Sequence, residues 1–262
     1  MKRKIRWVLT GLCALVFVFS LWNIISTLRE YQAAEDIYDA VEHQVFAASA
    51  RPVPSPTESA PSGTEAPSDE EEKTEETWSF SLDLAALQAV NRDVAGWIYL
   101  PDSKISYPFV QGKDNDEYLH RTYRRTQNAS GSIFMDYRCE KDLSGQNTVL
   151  YGHYMKNGTM FGGLARFKDR DYWENHRYFY LLTQDGIHRY EVFACAQVEA
   201  DAFCYQTSFA NEDAFQLFLR QIEKADQLKT GVAPEADGKI LTLSTCAAQD
   251  RTLRFVVFAM LA

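Results

Sequence analysis

The sequence predicts an all-β, barrel-like domain of about eight short strands with few helices, set behind one N-terminal transmembrane helix. Three observations carry this. Short apolar runs separated by turn residues recur from Trp97 to the C-terminus. One clear soluble stretch, "NEDAFQLFLRQIEKADQL", repeats its apolar residues at helical spacing. An uncharged run, "WVLTGLCALVFVFSLWNIIS", residues 7–26, follows a basic start.

The chain has 262 residues and a formal net charge of -9. That length holds one large domain or two small ones. The charge is uneven: "MKRKIR" is basic and "SDEEEKTEE" acidic. Mild acidity without a basic aromatic stripe argues against nucleic acid as a partner. The run 7–26 is about as long as a helix must be to cross a bilayer, so membrane lipid is its expected surrounding. Lys2, Arg3, Lys4 and Arg6 favour an inside start, with everything after residue 27 outside the cell. A signal peptide is the rival reading. Its apolar core is usually shorter, and the cleavage-like "VFAASA", 45–50, lies well beyond the run.

Residues 1–30 thus read as a cytoplasmic tip and anchor, 31–77 as a stalk and linker, and 78–262 as the folded domain. Residues 27–44 are helix-compatible and partly charged. From Ala47 to Glu76 the composition turns to Pro, Ser, Thr, Ala, Gly and Glu, which cannot build a core and predicts an extended, disordered spacer. After Trp78, a helical pattern over Leu84, Leu87 and Val90 gives way to a strand at Trp97. "KISYPFVQG" is the next strand, then "KDNDEYLHRTY", a turn and short helix. "GSIFMDYR" and "NTVLYGHYM" are further strands, and "YFYLLTQDGIHRYEVFACAQVEA" is a hairpin with Asp185-Gly186 at its turn. In the one clear helix, Asn211 is the expected cap, and Phe215, Leu217, Phe218 and Ile222 form most of an apolar face. The closing hairpin is "ILTLSTCAAQDRTLRFVVFAM".

That hairpin bears the chemistry. With Asp250 near the centre of its connection, Cys246 and Arg254 oppose one another on adjacent strands. Alternation then puts Thr242, Ser244 and Cys246 on one face with Arg254, Val256 and Phe258. A nearby cation raises a thiol's thiolate fraction, and a guanidinium can also meet a developing oxyanion. A core cysteine beside a solvated arginine fits these two residues equally well. A thiol nucleophile also needs an imidazole. Of the five histidines, His43 lies in the stalk, His120 in a polar segment, and His176 and His188 in surface settings. His153 follows the apolar "NTVLYG" and precedes a turn at Asn157-Gly158, a usual place for chemistry and also for a structural histidine. Asp136 and Asp250 are candidate tuners of His153 or Arg254, though aspartates more often serve surfaces and turns. The five cysteines form no CxxC and no zinc-like cluster, and no glycine-rich phosphate loop follows a strand, so neither metal nor nucleotide cofactor is expected.

"TLSTC" followed by "RFVV" resembles the signature of the sortase family. "NTVLYGHYMKNGTMFGGL", "VAGWIYLPDSKISYPFVQGKDNDEYL" and "GSIFMDYR" resemble its class B, in the expected order over residues 78–262. The resemblance implies a sortase-like eight-stranded β-barrel and a cysteine transpeptidase. Cys246 would attack the threonine carbonyl of a C-terminal sorting motif, His153 would handle the proton, and Arg254 would hold substrate and oxyanion. Asn115, Leu119, Tyr151 and Ser244 would line the substrate groove. Ala247 departs from the acidic or polar residue that many relatives carry after the cysteine. The implied partners are surface proteins bearing the sorting motif and an amine from a peptidoglycan precursor or a pilin. Pilin polymerisation, plain hydrolysis with water as acceptor, and a non-enzymatic extracellular binding module are the competing functions. Cys195 and Cys204 flank "AQVEADAF" and are expected to stay free thiols, although the compartment permits a disulfide.

Overall fold

The computed structural model describes residues 2–46, 82–246 and 252–262. The linker 47–76, the expected domain start at Trp78, most of "VFAASA", Ala247 and Asp250 lie outside the described residues. Eight strands close into one barrel: β1 (Val94–Tyr99), β2 (Ser106–Val110), β3 (Ile133–Met135), β4 (Asn147–Tyr151), β5 (Tyr178–Thr183), β6 (Gly186–Glu199), β7 (Ile240–Cys246) and β8 (Leu253–Leu261). The order around the barrel is β1-β2-β3-β4-β7-β8-β6-β5, and β5 pairs with β1 to close it. Closure removes free sheet edges. The pairs β2–β3 and β4–β7 are parallel and the remainder antiparallel. Parallel neighbours need long crossovers. Helix α2 (Leu84–Val90) precedes β1, and the β4–β7 crossover contains helix α3 (Arg170–Asn175), β5, β6 and helix α4 (Glu212–Ala225).

Alternation sorts the closing hairpin into two faces. Leu241, Leu243, Phe255, Val257 and Ala259 join the main core. Ile240, Val256, Phe258 and Met260 face the other way and pack under α4 with Phe215, Phe218, Leu219 and Ile222. Asn211 caps α4 as expected, its side chain accepting from the Ala214 amide at 2.9 Å. Leu217 does not belong to the apolar face: it is 52% exposed, and Leu219 takes its place. The reason is helical geometry. Residues 215, 218, 219 and 222 fall on one stripe, and 217 lies round the helix from it. The β5–β6 turn is also displaced by one residue, since Thr183 pairs with Gly186 across Gln184 and Asp185. The "KDNDEYLHRTY" segment forms successive turns and no helix.

Helix α1 (Lys2–Phe46) carries the apolar run, whose most apolar stretch has mean hydropathy 2.0 and is unburied by protein. Polar side chains in and just after this run bond their own helix, Asn23 to the Phe19 carbonyl at 3.1 Å and Thr27 to that of Asn23 at 2.9 Å. The helix-compatible segment 27–44 continues the anchor helix, and it also packs on the barrel, burying Ala34, Tyr38 and Val41. The Tyr38 hydroxyl donates to the Gly131 carbonyl at 2.7 Å, and its ring meets Tyr107 edge-on at 5.2 Å.

Candidate active site

The ends of three adjacent strands define the site. Tyr151 on β4 pairs with Ser244 on β7, and the Gly152 amide donates to the Ser244 carbonyl at 3.1 Å. Two residues beyond that pair stand His153 and Cys246. On the far side of β7, Cys246 pairs directly with Arg254 of β8. Neighbouring strand backbones lie about 5 Å apart, so Cys246 and Arg254 share one register row, and His153 follows the last paired residue of the adjacent β4 by two positions. Ser244 opposes Val256 and Thr242 opposes Phe258, which places Cys246 and Arg254 at register positions of the face that packs under α4.

Local sequence explains why the row forms there. Gly152 lets β4 end against the core: a Cβ on it would stand 2.5 Å from Ile133 Cδ1 and 2.7 Å from the Phe161 ring. The His153 carbonyl then accepts from the Phe161 amide at 3.1 Å, holding the following loop. His153 is half-buried, and its Nε2 lies 2.5 Å from the Leu119 carbonyl. A carbonyl only accepts, so Nε2 carries hydrogen and Nδ1 remains the nitrogen able to take and return a proton. Burial lowers the His153 pKa below its ordinary range, and the neighbouring His120 adds to the fall, against the opposing pull of the Leu119 carbonyl. His120 stacks on it with ring centres 5.4 Å apart. The Arg254 guanidinium is half-buried and donates to the Leu253 carbonyl at 3.2 Å.

The four predicted groove residues fall around this row. Leu119 supplies the carbonyl that meets His153. The Ser244 hydroxyl is 2.9 Å from that of Tyr205, whose ring stacks on Tyr151 at 5.8 Å. Tyr151 and Asn115 both donate to Asp136, at 2.9 and 3.0 Å. Asp136 therefore serves Arg138, Tyr151 and Asn115 rather than His153 or Arg254, the roles considered for it from sequence.

The other described thiols are poorly suited to attack. Burial pushes Cys139 up to about 11 and Cys195 and Cys204 up to about 12. All three are free, as expected for Cys195 and Cys204. Cys13 is the remaining described thiol and sits in the apolar run of α1. The other histidines have structural partners or lie apart: His176 stacks on Tyr172 at 3.9 Å, His188 meets the Thr183 hydroxyl at 3.0 Å, and His43 is exposed on α1. Tyr205, Arg138 and His120 stand beside the site and are not singled out by sequence. The only signal for Arg138 was its i,i+2 spacing from Asp136. Tyr205 lies in a 3-10 turn, Phe203–Tyr205, that follows no period.

Known proteins share this architecture. The family model described as Sortase domain matches residues 98–262. Sortase B of Listeria monocytogenes is 36% identical over 166 residues, covering 63% of this chain and 67% of that protein. The crystal structure of Staphylococcus aureus sortase B aligns with a TM-score of 0.65 at 32% identity, covering 68% of this chain and 86% of that one. Sortase B from Bacillus anthracis in complex with AAEK2 aligns with a TM-score of 0.65 at 38% identity, covering 70% of this chain and 83% of that one.

Proposed function

Because the chain belongs to the sortase family and is similar to its sortase B members, we propose that Cys246, His153 and Arg254 are the reactive set of a membrane-anchored cysteine transpeptidase. The observation that supports this assignment best is the direct pairing of Cys246 with Arg254, beside the end of β4 that His153 follows by two residues. The Cys246 thiolate attacks the carbonyl carbon of threonine in a sorting motif, and Arg254 meets the negative charge that develops on oxygen. His153 gives its proton to the leaving amine as the C–N bond breaks, which leaves a thioester on Cys246. An incoming amine then loses a proton to His153 and attacks the thioester, forming a new amide and releasing the thiolate. Asn115, Leu119, Tyr151 and Ser244 line the groove in which the sorting motif lies. The substrates are surface proteins with a C-terminal sorting tail, and the acceptor is an amine of a cell-wall precursor.

The basic residues before the apolar run favour a cytoplasmic N-terminus with the barrel outside. Residues 7–26 form the anchor, and residues from about 78 onward form the catalytic domain. Protease added to intact cells should remove the barrel and spare the N-terminus. A barrel protected until lysis would overturn this topology. For the chemistry, the wild-type chain mixed with a threonine-containing sorting peptide should gain the mass of the acyl fragment, and Cys246→Ala should not. Undiminished peptide cleavage by Cys246→Ala would sink the mechanism, since neither His153 nor Arg254 can form the thioester.

A further inference from the structure

Asp136 lies just beyond β3 and is 0% exposed. A carboxylate removed from water is costly unless its lone pairs are met. Here they are met by a closed set of donors. Arg138 gives Nε to Oδ1 at 2.9 Å, Nη2 to Oδ2 at 2.7 Å and its backbone amide to Oδ1 at 3.0 Å. Asn115 Nδ2 and the Tyr151 hydroxyl complete Oδ2 at 3.0 and 2.9 Å. Burial would raise the Asp136 pKa, and these donors reverse that, so the group stays ionised.

Arg138 does more than neutralise the carboxylate. Its Nη2 also donates to the Tyr205 carbonyl at 3.1 Å, joining the end of β3 to the turn between β6 and α4. The Tyr205 hydroxyl meets Ser244 on β7, and its ring lies on Tyr151. Tyr151 returns to Asp136, which closes the circuit. Three of the four groove residues, Asn115, Tyr151 and Ser244, are one hydrogen bond from a member of it. We propose that Arg138, acting through Asp136 and the Tyr205 carbonyl, is a positioning residue that sets the separation of Tyr151 and Tyr205 and so the width of the peptide groove. This rests on the reading of Cys246 as the nucleophile. A guanidinium is required because its planar fork reaches the carboxylate and the carbonyl together, whereas an ammonium is a single point of charge.

The test uses the full chain in detergent and two probes. One is the peptide that the wild type cleaves best from an internally quenched library with threonine fixed at the cleaved position. The other is iodoacetamide, which reacts with Cys246 without occupying the groove. Arg138→Lys and Arg138→Ala should each raise KM for the peptide about 10- to 100-fold, the range for losing a charge-assisted hydrogen bond. Their kcat and iodoacetamide rates should stay within about threefold, well below a transition-state loss. Unchanged KM in Arg138→Ala, or full rescue by Arg138→Lys, would overturn the positioning role. So would a parallel fall of peptide and iodoacetamide rates, which marks general loss of structure. Should Arg138→Ala fail to fold, Arg138→Lys decides by the same readings. Failure of the wild type to form any thioacyl adduct would overturn the Cys246 reading, and this proposal with it. A normal adduct with normal KM in the variants would overturn the positioning role alone.

Discussion

At the scale of single residues, one backbone carbonyl decides which nitrogen of His153 can work. Leu119 occupies Nε2, which leaves Nδ1 as the nitrogen that can take up a proton. The imidazole pKa is held below its ordinary range, first by burial and then by His120. A thiolate–imidazolium pair loses its imidazolium as pH rises and its thiolate as pH falls. The limb of kcat/KM that reports His153 follows the pKa of its imidazole, which burial and His120 lower. Replacing His120 by Gln removes both a repelling imidazole and part of the cover, and both changes raise the His153 pKa. The limb that reports His153 should therefore move to higher pH in His120→Gln. A limb that stays in place or moves down would show that the stacked ring does not act on His153. Arg254 gives a second residue-scale prediction. If geometry matters at the oxyanion, Arg254→Lys should slow acylation by about 100- to 1000-fold. Alkylation of Cys246 should change far less, since a small alkylating reagent forms no oxyanion. Equal falls in both rates would assign Arg254 to thiolate tuning instead. The Cys246–Arg254 pairing was legible from alternation about Asp250. The Asp136 partners were not, because Arg138 and Tyr205 meet across 67 positions of sequence, and no local period records such a contact.

At the scale of elements, α4 shows where periodicity is a sharper guide than composition. Counting apolar residues gives Leu217 to the buried face, whereas the stripe of 215, 218, 219 and 222 excludes it. Phe218→Ala should destabilise the fold by about 3 to 5 kcal/mol, and Leu217→Ala by less than about 0.5 kcal/mol. Denaturant midpoints of the two variants settle this, and comparable losses would reject the burial pattern. The strands were legible for a simple reason. Most are short, apolar and bounded by turn residues, with the 14-residue β6 (Gly186–Glu199) the longest, and these local signals survive in the final fold. Their order around the barrel was not, since the parallel β4–β7 pair brings together residues separated by a whole crossover. The docking face of α1 did leave a trace. Tyr31, Ala34, Tyr38 and Val41 recur at spacings of three and four, a stripe easily passed over amid charged neighbours.

At the scale of the whole molecule, the membrane helix and the barrel are joined by packing as well as by chain. Tyr38 is the centre of that contact, through the Gly131 carbonyl and the Tyr107 ring. Gly131 suits the place because its φ of +59 is costly for residues with a side chain, and a Cβ there would meet the Leu119 carbonyl at 2.4 Å. In Tyr38→Ala, amide exchange should speed up over 31–43 and at 131–132 while the β6–β8 pair keeps its protection. Unaltered exchange over 31–43 would show that the helix is held elsewhere. Because α1 itself is docked on the barrel, that packing sets the reach of the barrel. A free tether of about 35 residues would let an enzyme roam a hemisphere of about 30 Å. A mast gives a different kinetics of encounter. Tyr38 stands twelve residues beyond Ser26, roughly 18 Å along the helix. With the apolar run in a bilayer, the proposed groove would keep that altitude and sweep a plane parallel to the lipid, and meeting a partner itself held in the bilayer would be a search in two dimensions.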